Sequence, residues 1–347
     1  MSKESKRNKV GEFVTGLGEK AVNFKNNASP KINEAVGAIS KGTANVAVKA
    51  KDGVIQSKTA VLDKMDVNGD GNVDIEDIII LGLRTPGVRI NRTDFLIKEL
   101  SRKNHEKIVE LAIEKNPALA GISIEEIDHI VDEVIKYERN CVTGISAALG
   151  APGGVAMAAT IPADIVQYYG YMLRAAQKIL YLYGFPEINT EENNQTFDTE
   201  TLNVLILCMG VMYGVAGANN AIKGLAKALA KGVEKQLMNK ALTKGTIYPI
   251  VKSVSKWFGV KMTKDVFAGF FKKSIPIIGG FIGGTLTFIT FKPCCLKLKD
   301  SLRDTNLTNP KQVSIKDDNI IDAIAEDIIT ESELDEETLK VVLEDEE

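Results

Sequence analysis

The sequence predicts an all-α protein: a helical bundle with one EF-hand helix-loop-helix, a flexible basic N-terminal arm and an acidic C-terminal tail. Three observations lead there. Apolar residues recur at helical spacing along most of the chain beyond residue 90. Capping residues open these runs, and glycine or proline closes them. One short stretch, Asp66 to Asp77, also has the ligand spacing of a calcium loop, a motif that requires a helix on either side. The expected organisation is a basic arm over residues 1–55, the EF-hand over 56–86, a helical domain over 90–312 and the tail over 313–347.

The chain has 347 residues, 44% of them hydrophobic, which is enough to bury a large core. Its net charge of −3 conceals a polarised distribution. Residues 1–60 hold 11 Lys/Arg against 5 Asp/Glu, whereas residues 300–347 hold 4 against 16, so the two ends attract opposite partners. The arm has weakly amphipathic stretches interrupted at Pro30, Gly42 and Gly53. The candidate partners of such an arm are an anionic lipid surface, nucleic acid or the chain's own acidic tail. Nucleic acid is not expected, because neither aromatic interleaving nor an arginine cluster accompanies the lysines. Met1 to Lys9 is charged and lacks the apolar core of an export signal, so a cytoplasmic chain, peripheral to the membrane, is the expectation. Cys141, Cys208, Cys294 and Cys295 form no C-x-x-C pair and read as buried thiols, with Cys294 and Cys295 also open to acylation.

In the calcium loop, oxygen-bearing side chains stand at positions one, three, five, nine and twelve: Asp66, Asn68, Asp70, Asp74 and Asp77. Asn72 at position seven offers its carbonyl, and Gly71 at position six permits the sharp turn. A hard cation requires six to eight oxygens, and alternate residues of a tight loop supply them. Val61, Leu62 and Met65 before the loop, with Ile75, Ile78, Ile79 and Leu81 after it, supply the apolar faces of two flanking helices. Ca²⁺ is the expected ion, with Mg²⁺ competing for the same site. Position twelve is Asp77 rather than the longer Glu, and no second loop occurs, so the expected dissociation constant is on the order of 10⁻⁵ to 10⁻³ M. The competing reading is an Asp/Asn/Gly-rich surface turn.

Beyond the loop, Thr85-Pro86-Gly87 ends the leaving helix, and Asn91 or Thr93 caps a helix carrying Phe95, Leu96 and Leu100. Asn104 is placed to cap the next, with Ile108, Leu111, Ala112 and Ile113 on one face. Ser123 and Glu126 have capping-box spacing, and Ile127, Ile130, Val131, Val134, Ile135 and Tyr137 make the following apolar stripe. Residues 141–186 turn rich in Ala and Gly, and a carboxylate at Asp164, after Pro162, suits the first turn of an apolar helix that closes at Gly184-Phe185-Pro186. Residues 202–222 are apolar and merge into a helix with Lys223, Lys227, Lys231 and Lys235 along one line, a face suited to anionic headgroups or to plain solvent. The run from Ile275 to Phe291 has two G-x-x-x-G pairs, and Ile320, Ile321, Ile324, Ile328 and Ile329 fall on one helical face of the tail. Three apolar runs, about 142–163, 202–222 and 275–291, are short or interrupted for membrane spans and read better as buried helices.

Several of these segments together resemble the EcsC family of bacterial proteins: the Leu149-Gly-Ala-Pro-Gly-Gly154 turn, Ile161-Pro-Ala-Asp-Ile-Val-Gln167, Leu173-Arg-Ala-Ala-Gln-Lys178, the Tyr183-Gly184 ending and Ile275-Pro-Ile-Ile-Gly-Gly280. The resemblance covers about residues 95–300 and implies a mostly helical domain, in a family named after a protein encoded beside an ABC transporter.

For catalysis the chain offers little. His105 and His129 fall on polar helix faces, and there is no G-x-S-x-G, H-E-x-x-H or phosphate loop. The expected function is therefore non-enzymatic: a calcium-binding helical protein acting peripherally at a membrane or membrane complex. The alternative is an enzyme or accessory domain with a site around Asp164, Gln167 and Arg174, where the EF-hand is only a structural metal staple.

Overall fold

The structure is a computed structural model that describes residues 66–67, 75–150, 154–188, 199–232, 241–242, 245, 247–261, 281–305, 307–308, 323–326 and 328, with backbone only for 147–150, 154–165, 259–261 and 281–286. Among the described residues every regular element is an α-helix, and there is no strand. In chain order the helices are α1 (Ile75–Arg84), α2 (Arg92–Leu100), α3 (Glu106–Glu114), α4 (Ile124–Gly150), α5 (Gly154–Leu182), α6 (Thr199–Tyr213), α7 (Ala218–Ala230), α8 (Tyr248–Lys261) and α9 (Phe281–Arg303). The expected arm, the helix entering the calcium loop and most of the acidic tail lie outside the described residues.

The chain divides into two compact units, each assembled from three stretches. The first comprises residues 1–89, 135–173 and 261–293. In it α1 and the first part of α5 meet through small residues. A Cβ on Gly82 would stand 2.9 Å from the Leu173 Cδ1, and one on Gly170 would stand 3.3 Å from Val88. Glycine at both positions is what lets the two backbones approach. The start of α9 is held by Thr287, which donates to the Ser146 hydroxyl at 3.3 Å, and by Phe291, edge-on to Tyr168 at 6.1 Å. Pro293 sits inside α9. The helical donor it lacks would have served the carbonyl of Ile289, four residues earlier, a residue that is 62% exposed.

The second unit comprises residues 90–134, 174–260 and 294–347. Asn91 caps α2, accepting the Asp94 N–H at 2.8 Å, and Thr93 lies inside the helix. The α3 cap differs from expectation. Position 105 takes that role without a side-chain bond, while the Asn104 amide donates to Leu100 O and to the Glu126 carboxylate at 2.8 Å. Ser123 caps α4 through the Glu126 N–H, and because the Glu126 side chain is engaged by Asn104, the capping box is satisfied on one side only.

The apolar stripe of α4 runs along Ile127, Ile130, Val131, Val134 and Ile135, all buried, but Tyr137 is 55% exposed and stands off it. Gly184 ends α5 at φ +95°, where Phe185 N–H donates to Leu180 O and Gly184 N–H to Tyr181 O, the paired bonds of a left-handed glycine stop. In α6 every residue from Glu200 to Met212 is buried, so the helix is enclosed on all sides. The apolar run merges into the lysine helix only from Ala218 onward, and its earlier part is the separate helix α6. Gly214 and Gly217, both at positive φ, break the chain, and Val215 N–H returns to Gly210 O at 2.8 Å. At Gly210 the start of α7 comes close, and a Cβ there would stand only 2.8 Å from the Ala218 Cβ and 2.9 Å from Val254. Among the described residues no helix is long and apolar enough to cross a membrane. In the tail, Ile324 and Ile328 are buried, as their four-residue spacing predicted.

Candidate functional site

Of the six predicted calcium ligands the structure describes two. Asn68, Asp70, Asn72 and Asp74 lie outside the described residues. Asp77 lies in the first turn of α1 and is wholly buried, and its Oδ1 accepts the Val67 N–H at 2.8 Å. A buried carboxylate needs donors or positive charge around it, and the helix N-terminus together with a loop N–H supplies both. The bond ties loop position two to position twelve, bringing the two ends of the twelve-residue stretch together beside Asp66. Among the described residues, no group of three or more Asp, Glu, His or Cys side chains gathers to hold a metal. Of the two described positions, Asp66 precedes the helix and Asp77 lies in its first turn.

The alternative catalytic region is placed differently from its sequence reading. Because α5 begins at Gly154, Asp164 lies well inside the helix, not in its first turn, and the N-terminal role expected for it falls. Pro162 misled because proline favours a first turn; here the helix runs through it. Gln167, half-buried, has its Nε2 shielded from solvent without a hydrogen-bond partner. His105 and His129 are exposed. Cys141, Cys208 and Cys295 are buried free thiols and Cys294 is partly exposed. Burial pushes the Cys208 thiol up, and does the same at Cys294, where Lys297 opposes it.

Two polar clusters that the sequence reading did not single out hold the second unit together. Arg92, 7% exposed, donates from Nε to Phe185 O at 3.0 Å, from Nη1 to Ile113 O at 2.7 Å and from Nη2 to Ala112 O at 3.2 Å. It therefore closes the C-terminus of α3, whose last carbonyls have no helical donors. The Glu187 carboxylate accepts the Arg92 backbone N–H at 2.6 Å and the Tyr181 hydroxyl at 2.7 Å. Burial lowers the guanidinium pKa against the opposing pull of Glu187, and it raises the Tyr181 phenol, with the Glu187 charge adding to the rise.

The second cluster pairs two i, i+4 patterns of opposite sign. Asp128 on α4 accepts the Tyr183 hydroxyl at 2.7 Å and pairs with Arg303 of α9, while Lys299 bonds Asp132 at 2.8 Å. Burial raises the Tyr183 phenol, and its bond to Asp128 adds to this. The bond to Asp128 raises the Arg303 guanidinium. Both clusters have every charge matched and join elements in place, which is structural work.

A third feature is a shallow, solvent-open recess of about 380 Å³ lined by Val211, Asn219, Lys223, Lys297, Asp300 and Ser301. Lys223 belongs to the expected lysine line of α7, where Lys223 and Lys227 are half-buried and Lys231 is exposed; Lys235 lies outside the described residues. The other faces of α7 are packed, with Ala221, Ile222, Leu225, Ala226 and Ala228 buried. No family model, curated protein or solved structure matches the chain.

Proposed function

We infer that the chain is a non-enzymatic, calcium-binding helical protein that acts peripherally at a membrane surface or membrane complex. The observation that carries the calcium part is the buried Asp77 and its bond to the Val67 N–H. A carboxylate at loop position twelve, held at the helix start and tied back to position two, is what a twelve-residue oxygen-ligand loop needs at its base. Asp66, Asn68, Asp70, Asp74 and the carbonyl of Asn72 are the remaining ligands of this reading, with Ca²⁺ as the ion and Mg²⁺ as its competitor. The surface line of α7 supports the membrane part, because a basic line on an otherwise buried helix presents charge outward from a rigid support. The resemblance of residues 95–300 to the EcsC family belongs to the same reading and sets it in a bacterial cytoplasm.

The experiment is a calcium titration by calorimetry on the full chain and on Asp66→Ala, followed by sedimentation with anionic vesicles with and without calcium. Binding heat that disappears in Asp66→Ala, with calcium-dependent sedimentation, is the expected result. Heat without any change in sedimentation would reduce the metal to a structural staple. No heat in either protein would remove calcium from the account.

A further inference from the structure

We propose that the recess between α6, α7 and α9 is a binding site for a phosphodiester group. Three donors surround it. Lys223 projects from α7 and Lys297 from α9, and neither lysine makes an ion pair among the described residues. The third is the Asn219 side-chain amide. Its Oδ1 accepts the hydroxyl of Ser301, a residue only 4% exposed, at 2.6 Å. That bond fixes the amide plane, so the NH₂ group is presented from a set direction instead of rotating in solvent.

Charge and shape favour the same ligand class. Among the described lining residues, Lys223 and Lys297 face one carboxylate, Asp300, so the two ammonium groups exceed it by one positive charge. A phosphodiester carries one negative charge, whereas a nucleotide or inositol polyphosphate would bring several and meet Asp300 unfavourably. Lys297 also lies close to the turn between α6 and α7. Its Nζ lies over Gly214, 3.3 Å from where a Cβ would stand, so the glycine that turns the chain at positive φ also makes room for the ammonium. The recess is shallow and open, which suits a phosphate still attached to a larger body. A lipid headgroup and a soluble glycerophosphodiester share this chemistry. The lipid source rests on the membrane reading above, since Lys223 is the first lysine of the α7 surface line.

The test uses the full chain, the recess variant Lys223→Gln/Lys297→Gln, and a charge-matched control, Lys107→Gln/Lys256→Gln, whose lysines are exposed outside both the recess and the α7 line. Each protein is titrated with glycerophosphoglycerol and sedimented with phosphatidylglycerol vesicles. The expected result is a loss of at least tenfold in glycerophosphoglycerol affinity in the recess variant and less than twofold in the control. On vesicles both variants lose affinity through general charge, about fivefold per lysine, and the recess variant loses more. Asn219→Ala, which keeps all charge, is expected to reproduce part of the recess loss.

Binding of the soluble diester without vesicle binding would uphold the recess and sink the membrane reading. Equal vesicle losses in the two variants, with no diester binding to the unaltered chain, would overturn the recess while leaving the membrane reading intact. Diester binding that both variants weaken equally would also overturn it, because surface charge alone would then account for the affinity.

Discussion

Replacing Arg92 with alanine is expected to destabilise the second unit by about 4 kcal/mol. Three carbonyls, those of Phe185, Ile113 and Ala112, receive its donors at 3.2 Å or less in a site from which water is excluded. Each acceptor stripped of a buried donor costs roughly 1–3 kcal/mol, but the space vacated by the guanidinium admits water to some of them, so the three do not add in full. Glu187 keeps its bonds to the residue 92 N–H and to Tyr181 while losing the favourable charge of the guanidinium, so the total of about 4 kcal/mol rests on the three carbonyls. Arg92→Lys retains the charge, yet one ammonium cannot reach carbonyls on two separate segments, so a loss of about 2 kcal/mol is expected. Urea unfolding followed by circular dichroism gives both numbers, with Lys98→Ala, an exposed position on α2, as the reference. A loss below about 1 kcal/mol for Arg92→Ala, no larger than a surface change, would refute the claim that this side chain closes α3.

The remaining expectations concern the loop, the glycine crossings and alkaline pH. Asp77→Asn keeps an acceptor for the Val67 N–H and is expected to weaken calcium at least tenfold with a stability loss under about 1 kcal/mol, whereas Asp77→Ala loses both, costing about 2 kcal/mol in metal-free unfolding; equal stabilities would show that the bond does not hold the loop. Gly210→Ala is expected to cost about 2–3 kcal/mol, because the new methyl meets the Ala218 Cβ and the branched Val254. Gly82→Ala meets only the end of the Leu173 side chain, and the gain of about 1 kcal/mol in helix propensity brings it near neutral, so thermal melts of the two should separate clearly. The Tyr181 and Tyr183 phenols are raised in the folded state. Their contribution is complete below the unfolded tyrosine value of about 10 and is lost as pH rises beyond it. Tyr183→Phe is therefore expected to flatten the fall in stability between about pH 10 and 11, and an unchanged slope would contradict its burial.

What the sequence disclosed depended on how local the determining physics was. Asn91 and Ser123 cap helices because their oxygens reach an N–H three residues on, a relation visible in four letters. The stripe of α4 was equally legible up to Tyr137, where a partly apolar ring proved to face outward. The break between α6 and α7 was not, because apolar residues continue across it and only two glycines at positive φ mark the turn. Asp164 was misplaced for a related reason, since Pro162 signals a helix start in isolation but is tolerated inside α5. Of the candidate site, Asp77 was read from spacing, and its bond to the Val67 N–H is a local consequence of that spacing. Arg92 and the Asp128–Arg303 pair were invisible because their partners come from distant segments, although the i, i+4 repeats Asp128/Asp132 and Lys299/Arg303 are each present as patterns. Asn219 and Lys297 approach only after the chain has turned at Gly214 and Gly217.

The Asp128–Arg303 pair spans 175 positions, and this sets an order of events during synthesis. At roughly 5–20 residues per second, about 10–35 s separate the emergence of the two partners from the ribosome. Once Tyr183, 55 positions after Asp128, has also emerged, its hydroxyl and the acidic edge of α4 have each other but not the cations that complete them. The second unit therefore finishes folding only when its last helix leaves the exit tunnel. A nascent chain arrested before residue 294 is expected to expose this edge to proteases and chaperones, and release of the final helix to close it.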